Sequence, residues 1–185
     1  MENLYDQQIA RIRQKLAKTP GVWLKPPASI DWVEGIEVTQ KIQLPVAYRR
    51  FLLEVGDGGW YDTWPLYSLA KAVSMVEGPL SAPFPFTGNW STDEPAEASL
   101  MDADLEFDLN GALPIFCFGC THSDFLVMNG PYAGTVMYDG RGTDQGYSPY
   151  TVDGQTYALS FTTIAKTKWL NYLDWFERGL DKGFF

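Results

Sequence analysis

The chain has 185 residues, 45% hydrophobic and 20% charged, with seven Trp, ten Tyr and eleven Phe, which is enough to bury a substantial core without disulfide or metal staples and excludes a disordered chain. Its two Cys are too few for a secreted disulfide framework, no run reaches the roughly 18 apolar residues of a membrane span, and no apolar leader follows a basic start. A net charge of -9 opposes nucleic acid phosphates and anionic membranes, so the expectation is a soluble cytoplasmic protein whose partners include neither nucleic acid nor membrane.

Residues 2–18 are expected to be helical, because Tyr5, Ile9, Ile12 and Leu16 recur at helical spacing and Thr19-Pro20-Gly21 ends the run. Lys25-Pro26-Pro27 reads as a loop, and Ile30, Trp32, Ile36 and Val38 as a short strand. A second helix opens at Leu44-Pro45, where the N–H that proline lacks would have no partner. Tyr48, Phe51, Leu52 and Val55 share one face of it, and Gly56 is its stop. Gly58-Gly59 permits a tight turn toward Trp60 and Trp64, and Leu66 to Val76 reads as a strand end followed by a short helix. The domain organisation is a single domain over 1–185, with an N-terminal extension and helix in 1–40 and an acidic, Pro-rich insertion at 77–110.

The second half alternates strand-like runs with turn signals. Strands are expected at Leu113–Phe118, Phe125–Met128, Thr135–Tyr138 and Tyr157–Leu159, separated by Asn129-Gly130-Pro131, Asp139-Gly140 and Asp153-Gly154. A final helix is expected from a Ser160 cap, with Phe161, Ile164, Ala165, Trp169, Tyr172, Leu173, Trp175, Phe176 and Leu180 on one face and Leu170 on the wrong side. The fold class that follows is α+β, a central and mostly antiparallel sheet with N-terminal and C-terminal helices packed on it.

The acidity is local. From Ala72 to Gly140 there is no Lys or Arg, and that stretch carries Glu77, Asp93, Glu94, Glu97, Asp102, Asp104, Glu106, Asp108, Asp124 and Asp139. Asp102, Asp104, Glu106 and Asp108 alternate with Ala103, Leu105, Phe107 and Leu109, which in a strand places four carboxylates on one face. Three readings stand: a solvated strand face, a docking stripe for a basic partner that relieves the crowded like charges, and a divalent-metal site.

Cys117-x-x-Cys120-x-His122 with Asp124 has part of a metal-ligand spacing, but a structural zinc takes four ligands and His122 is the chain's one His. A redox Cys pair opens a helix, whereas this one ends a strand at Gly119. A Cys120–His122–Asp124 nucleophile system would place its groups in a row rather than around a pocket. Structural cysteines are the remaining reading, and neither a metal nor a cofactor is assigned. Gly56-Asp57-Gly58-Gly59 follows a helix and lacks the Lys of a phosphate-binding loop, so it reads as a turn. Trp60, Trp64 and Trp90 fall near turns and read either as core aromatics or as anchors of a contact surface.

Leu44-Pro45, Tyr48, Phe51-Leu52 and Gly58-Gly59, then Leu113-Pro114-Ile115-Phe116, Asp124-Phe125 and Val136, then Ser160-Phe161, together resemble the SUKH superfamily in the branch of the yeast cell-wall-assembly regulator. The likeness covers about residues 40–175, with Asp57 and Ser123 where the family often has Asn and Gly. It implies a non-catalytic protein-binding domain of the bacterial immunity type, which binds and neutralises a cognate toxin and has no catalytic residues. The expected partner is that toxin, basic in charge, and the expected contact residues are Asp102, Asp104, Glu106, Asp108, Trp60, Trp64 and Trp90. The alternatives are a regulatory scaffold of cell-wall or signalling type and a cysteine-dependent hydrolase around Cys120 and His122.

Overall fold

The computed structural model describes residues 2–85, 110–119, 122–140, 146–151, 154–155 and 169–183. They form an α+β fold in the order α1 (Glu2–Leu16), β1 (Val22–Leu24), α2 (Ile30–Gln40), α3 (Val46–Glu54), β2 (Gly59–Tyr61), β3 (Trp64–Leu66), α4 (Leu69–Ser74), β4 (Ala112–Cys117), β5 (Ser123–Val127), β6 (Val136–Gly140), β7 (Gly146–Thr151), β8 (Gly154–Gln155) and α5 (Tyr172–Lys182). The strands lie side by side in chain order, each antiparallel to the next. One row of cross-strand partners, Leu66, Phe116, Asp124, Tyr138 and Ser148, runs through the middle of the sheet.

Pleating divides the sheet residues between two apolar clusters. Leu113, Leu126, Val136, Tyr138 and Tyr150 join the large cluster built with the helices, whereas Ala112, Phe125, Val127, Met137 and Tyr147 join Phe84 and Trp169 in a second one. Helices α1, α3 and α5 meet through the larger cluster. The ring of Tyr172 stands 4.5 Å from Tyr48 and 4.9 Å from Phe51, and Phe51 lies 4.6 Å from Phe176. These tilted and edge-on contacts suit aromatic quadrupoles. At the rim of α1 and α5, Glu177 accepts from Arg11 at 3.0 Å and Lys15 at 3.0 Å, while Gln8 donates to Asp174 at 2.8 Å.

Several expectations are met: α1, α3, the Leu66–Val76 strand and helix, and β4 to β6 fall where the pattern places them. Pro45 sits one residue ahead of α3, as its N-cap. Two expectations fail. Ile30–Val38 is not a strand but helix α2, because the Ser29 hydroxyl accepts the N–H of Trp32 and Asp31 occupies the first turn, where a carboxylate suits the helix dipole. The final helix does not run unbroken through Trp169. Residues 169–171 are extended, Leu170 exchanges backbone hydrogen bonds with Tyr150 and Val136, and Asn171 caps α5 by accepting from Asp174 N–H at 3.1 Å. That removes the anomaly of Leu170, which is buried by the sheet edge rather than misplaced on a helix. Strands β1, β2, β7 and β8 are additional to the expected set. The expected Tyr157–Leu159 strand and the Ser160-Phe161 helix start lie outside the described residues.

The turn after α3 depends on Gly58. Its φ is 75°, and a Cβ there would stand 2.4 Å from Ser68 N and 2.7 Å from Ser68 Cα. Both contacts are backbone, so neither yields cheaply. Gly58→Ala is expected to lower stability by about 2–3 kcal/mol, read as a drop in the urea midpoint at unchanged slope.

Candidate functional site

Among the described residues, the polar side chains singled out in β4–β5 face different partners. Asp124 points into the core between sheet and α5, where Oδ1 accepts from Tyr150 Oη at 2.9 Å and Oδ2 accepts from Trp175 Nε1 at 3.1 Å. Burial pushes its carboxyl well above the ordinary carboxylate range, outweighing these two hydrogen bonds and the more distant Arg178. Arg178 stands 6.0 Å over the ring of Tyr150, a cation–π distance. His122 faces a different partner: its Nδ1 is hydrogen-bonded to Tyr138 Oη, and its ring lies nearly parallel to Phe118, 5.7 Å away. Cys117 neighbours Tyr67, whose hydroxyl is pushed up first by burial and then by the thiol. Cys120 lies outside the described residues. Among the described residues no three His, Cys, Asp or Glu side chains come together as a metal site. None of the described helices is long and apolar enough to cross a membrane.

The acidic stretch is less acidic at the surface than its sequence suggests. Asp124 and Asp139 are both buried. Asp102, Asp104, Glu106, Asp108 and Trp90 lie outside the described residues. The other two expected anchors divide. Trp60 is 46% exposed on the outer face of the β1–β3 ribbon. Trp64 is half-buried, with its ring where a Cβ on Gly119 would stand, 2.6 Å from Cζ3.

The surface that sequence reading missed is α2. Only Val33 of this helix is buried. At 100° per residue, Asp31, Gly35 and Val38 point within about 40° of opposite Val33, Trp32 and Glu34 lie on the two shoulders, and Ile30 lies nearer Val33, on the Glu34 side. Trp32 is 45% exposed, Ile30 52% and Val38 78%, so a large aromatic and two aliphatic side chains stand in water beside Asp31, Glu34 and Glu37. Glu34 and Glu37 are held by Arg49 at 3.2 and 3.3 Å, and Glu37 also accepts the N–H of Leu44 at 2.8 Å. A groove of about 690 Å³ opens at the C-terminal end of α2, lined by Glu34, Glu37, Val38, Lys41, Ile42, Gln43, Met128 and Asn129. Lys41 ends the helix with φ 55°, in the left-handed region that favours glycine. Gly35 lies at the centre of the outward face, and a Cβ there would meet nothing within 4 Å. A helix-interior glycine costs roughly 0.5–1 kcal/mol relative to alanine, and no intramolecular contact requires it here. Comparison of the chain with family models, with curated proteins and with solved structures gives no match.

The raised carboxyl of Asp124 has a pH signature. A carboxyl that holds its proton more tightly folded than unfolded makes its greatest contribution below the ordinary value of 3.8, and that contribution is lost as pH climbs through the gap to the folded value. Asp124→Asn supplies an uncharged group that offers Trp175 an oxygen and Tyr150 an N–H. The expected outcome in urea titrations is that Asp124→Asn gains on the native protein as pH rises from about 4 to 8. Asp124→Ala, which removes the carboxyl that both Tyr150 Oη and Trp175 Nε1 donate to, is expected to lose about 2–4 kcal/mol.

Proposed function

We propose that the chain is a non-catalytic protein-binding domain that binds a basic partner protein and neutralises it by occupying its surface. The observation that carries this reading is the outward face of α2, where Trp32 and Val38 stand exposed on either side of Gly35, among carboxylates and beside a groove. Exposed aromatics anchor interfaces because a rigid ring buries a large area at small entropic cost. The open space over Gly35 gives a partner backbone room for close approach. The sign of the partner's charge follows from a net charge of -9 and from a stretch of about 70 residues, 72–140, without Lys or Arg. A protein that grips nucleic acid carries the complementary positive surface.

The resemblance of Leu44-Pro45, Tyr48, Phe51-Leu52 and Gly58-Gly59 to the SUKH superfamily supports a more specific form of the proposal. In that form the partner is a bacterial toxin and the chain is its immunity protein, working in the cytoplasm. Asp102, Asp104, Glu106 and Asp108 then supply a steering field, and α2 supplies the anchor.

The test is binding of the full chain to the toxin encoded by the adjacent gene, followed by calorimetry. Trp32→Ala is expected to weaken binding by at least tenfold while changing stability by less than about 0.5 kcal/mol. Gly35→Leu is expected to leave the fold intact and block binding, because the added side chain fills space that is open only in the free chain. Reversing the four charges at 102–108 is expected to slow association and flatten its salt dependence. A complex indifferent to Trp32→Ala and Gly35→Leu would overturn α2 as the contact surface.

A further inference from the structure

Strand β1 is the first strand of the sheet, and among the described residues β2 alone pairs with it. The hydrogen bonds at its two ends fix which of its backbone groups are already used. Lys25 N–H donates to Gly58 O at 2.9 Å, and Asp62 N–H donates to Gly21 O at 2.7 Å. In an antiparallel pair the bonded positions alternate, so residues 21, 23 and 25 face β2, and the N–H and C=O groups of Val22 and Leu24 point away from the sheet. The side chains alternate as well. Val22 and Leu24 turn inward and pack partly against the core, and Trp23, 57% exposed, turns outward beside its cross-strand partner Trp60. An apolar groove of about 520 Å³, walled by Leu16, Val22, Leu24, Pro26, Pro27 and Val55, runs along this free edge.

An extended segment laid on the edge therefore needs a defined pattern: apolar inward, aromatic outward, apolar inward. Val22-Trp23-Leu24 is that pattern. We propose that β1 pairs with β1 of a second copy of this chain, antiparallel about a two-fold axis through Trp23. In this register Val22 of each copy bonds Leu24 of the other in both directions, and the outward groups of both strands are satisfied. The two Trp23 rings then occupy a non-bonded pair, where Cβ atoms lie about 4.5–5.5 Å apart and aromatic side chains meet. The outer face becomes a ladder of four indoles, Trp60 and Trp23 from each copy. Val22 and Leu24 of the partner copy enter the groove.

The area sets the size class of the contact. Four half-exposed indoles, each of about 150–250 Å², bring together on the order of 400 Å² of aromatic surface. With the groove walls added, the contact falls at the small end of interfaces, below about 1,200 Å². Pro20 and Pro26-Pro27 bound the strand, so pairing stops after one two-fold contact and does not propagate into an open array. The pairing is therefore a weak, reversible one, populated as the protein is concentrated.

Sedimentation velocity of the full chain from about 1 to 500 μM is the test, joined to residue-resolved amide exchange. The expected result is a mass rising from one chain to two. The amides of Val22 and Leu24 should become at least tenfold more protected over the same range, and that of Trp23, already bonded to β2, should not change. Trp23→Lys alters an exposed side chain and is expected to hold the protein at one chain throughout, whereas Trp32→Ala, on α2, is expected to dimerise as the native chain does. A one-chain mass at every concentration, dimerisation undiminished by Trp23→Lys, or association without added protection at Val22 and Leu24 would each overturn the proposal.

Discussion

A carboxyl group buried between sheet and C-terminal helix sets how the rest of the molecule is assembled. Apolar packing is non-directional, and the rings of Tyr48, Phe51, Tyr172 and Phe176 could settle in more than one way. Asp124 allows one arrangement. Its two oxygens are reached by Tyr150 from β7 and Trp175 from α5, so strand and helix must both be in place at once. Sliding α5 by one turn, about 5.4 Å, would withdraw the Trp175 N–H and leave a buried carboxyl half satisfied. Slipping β5 by one residue would send Asp124 to the opposite face, away from both donors. Burial of the group is costly in itself, which is why its carboxyl is pushed upward. What the fold gains is a register, the best-attested use of a buried polar group.

The parts of this architecture that were legible in the sequence are those where one period dominates. Helix α3 shows a proline start, a helical stripe and a glycine stop, and β4 to β6 are bounded by Gly and Asn turn signals. Illegible elements had competing signals. Ile30, Trp32, Ile36 and Val38 fall at even spacings that suit a strand, but the deciding contact is a single hydroxyl, Ser29 to the Trp32 N–H. In the C-terminal segment the apolar period continues through Trp169 although the helix starts only after Asn171, its cap, and Leu170, which breaks the period, marks the departure. Strand β7 contains Pro149, which ordinarily argues against a strand interior. Strand β1 has only three residues, too few for any period to register.

Misreading α2 also hid the candidate site. In a strand, alternate residues of Ile30–Val38 would be buried, and an aromatic at 32 would carry no message. In a capped helix that buries Val33, Trp32 and Val38 are forced outward, and their exposure becomes an observation that internal packing does not explain. Trp60, expected near a glycine turn, is exposed, whereas the ring of Trp64 packs against Gly119. The acidic stretch was read as one field, yet Asp124 and Asp139 point inward. Counting charges along a chain overstates the external field wherever a strand carries its acids toward the core.

The two outward surfaces obey different physics, and that keeps them separable. The proposed attraction of a basic protein to the α2 face draws on the chain's net charge of -9, so it is long-ranged and weakens as salt screens it, with a Debye length of about 10 Å at 0.1 M. The β1 edge offers backbone groups and indoles, which act only on contact. Two copies that meet there each bring a charge of -9, so their approach is opposed at long range and eased by the same salt. Salt therefore moves the two associations in opposite directions. A partner drawn to α2 is favoured in dilute buffer, where the chain is a single copy, and pairing through β1 is favoured where the charge is screened and the protein concentrated.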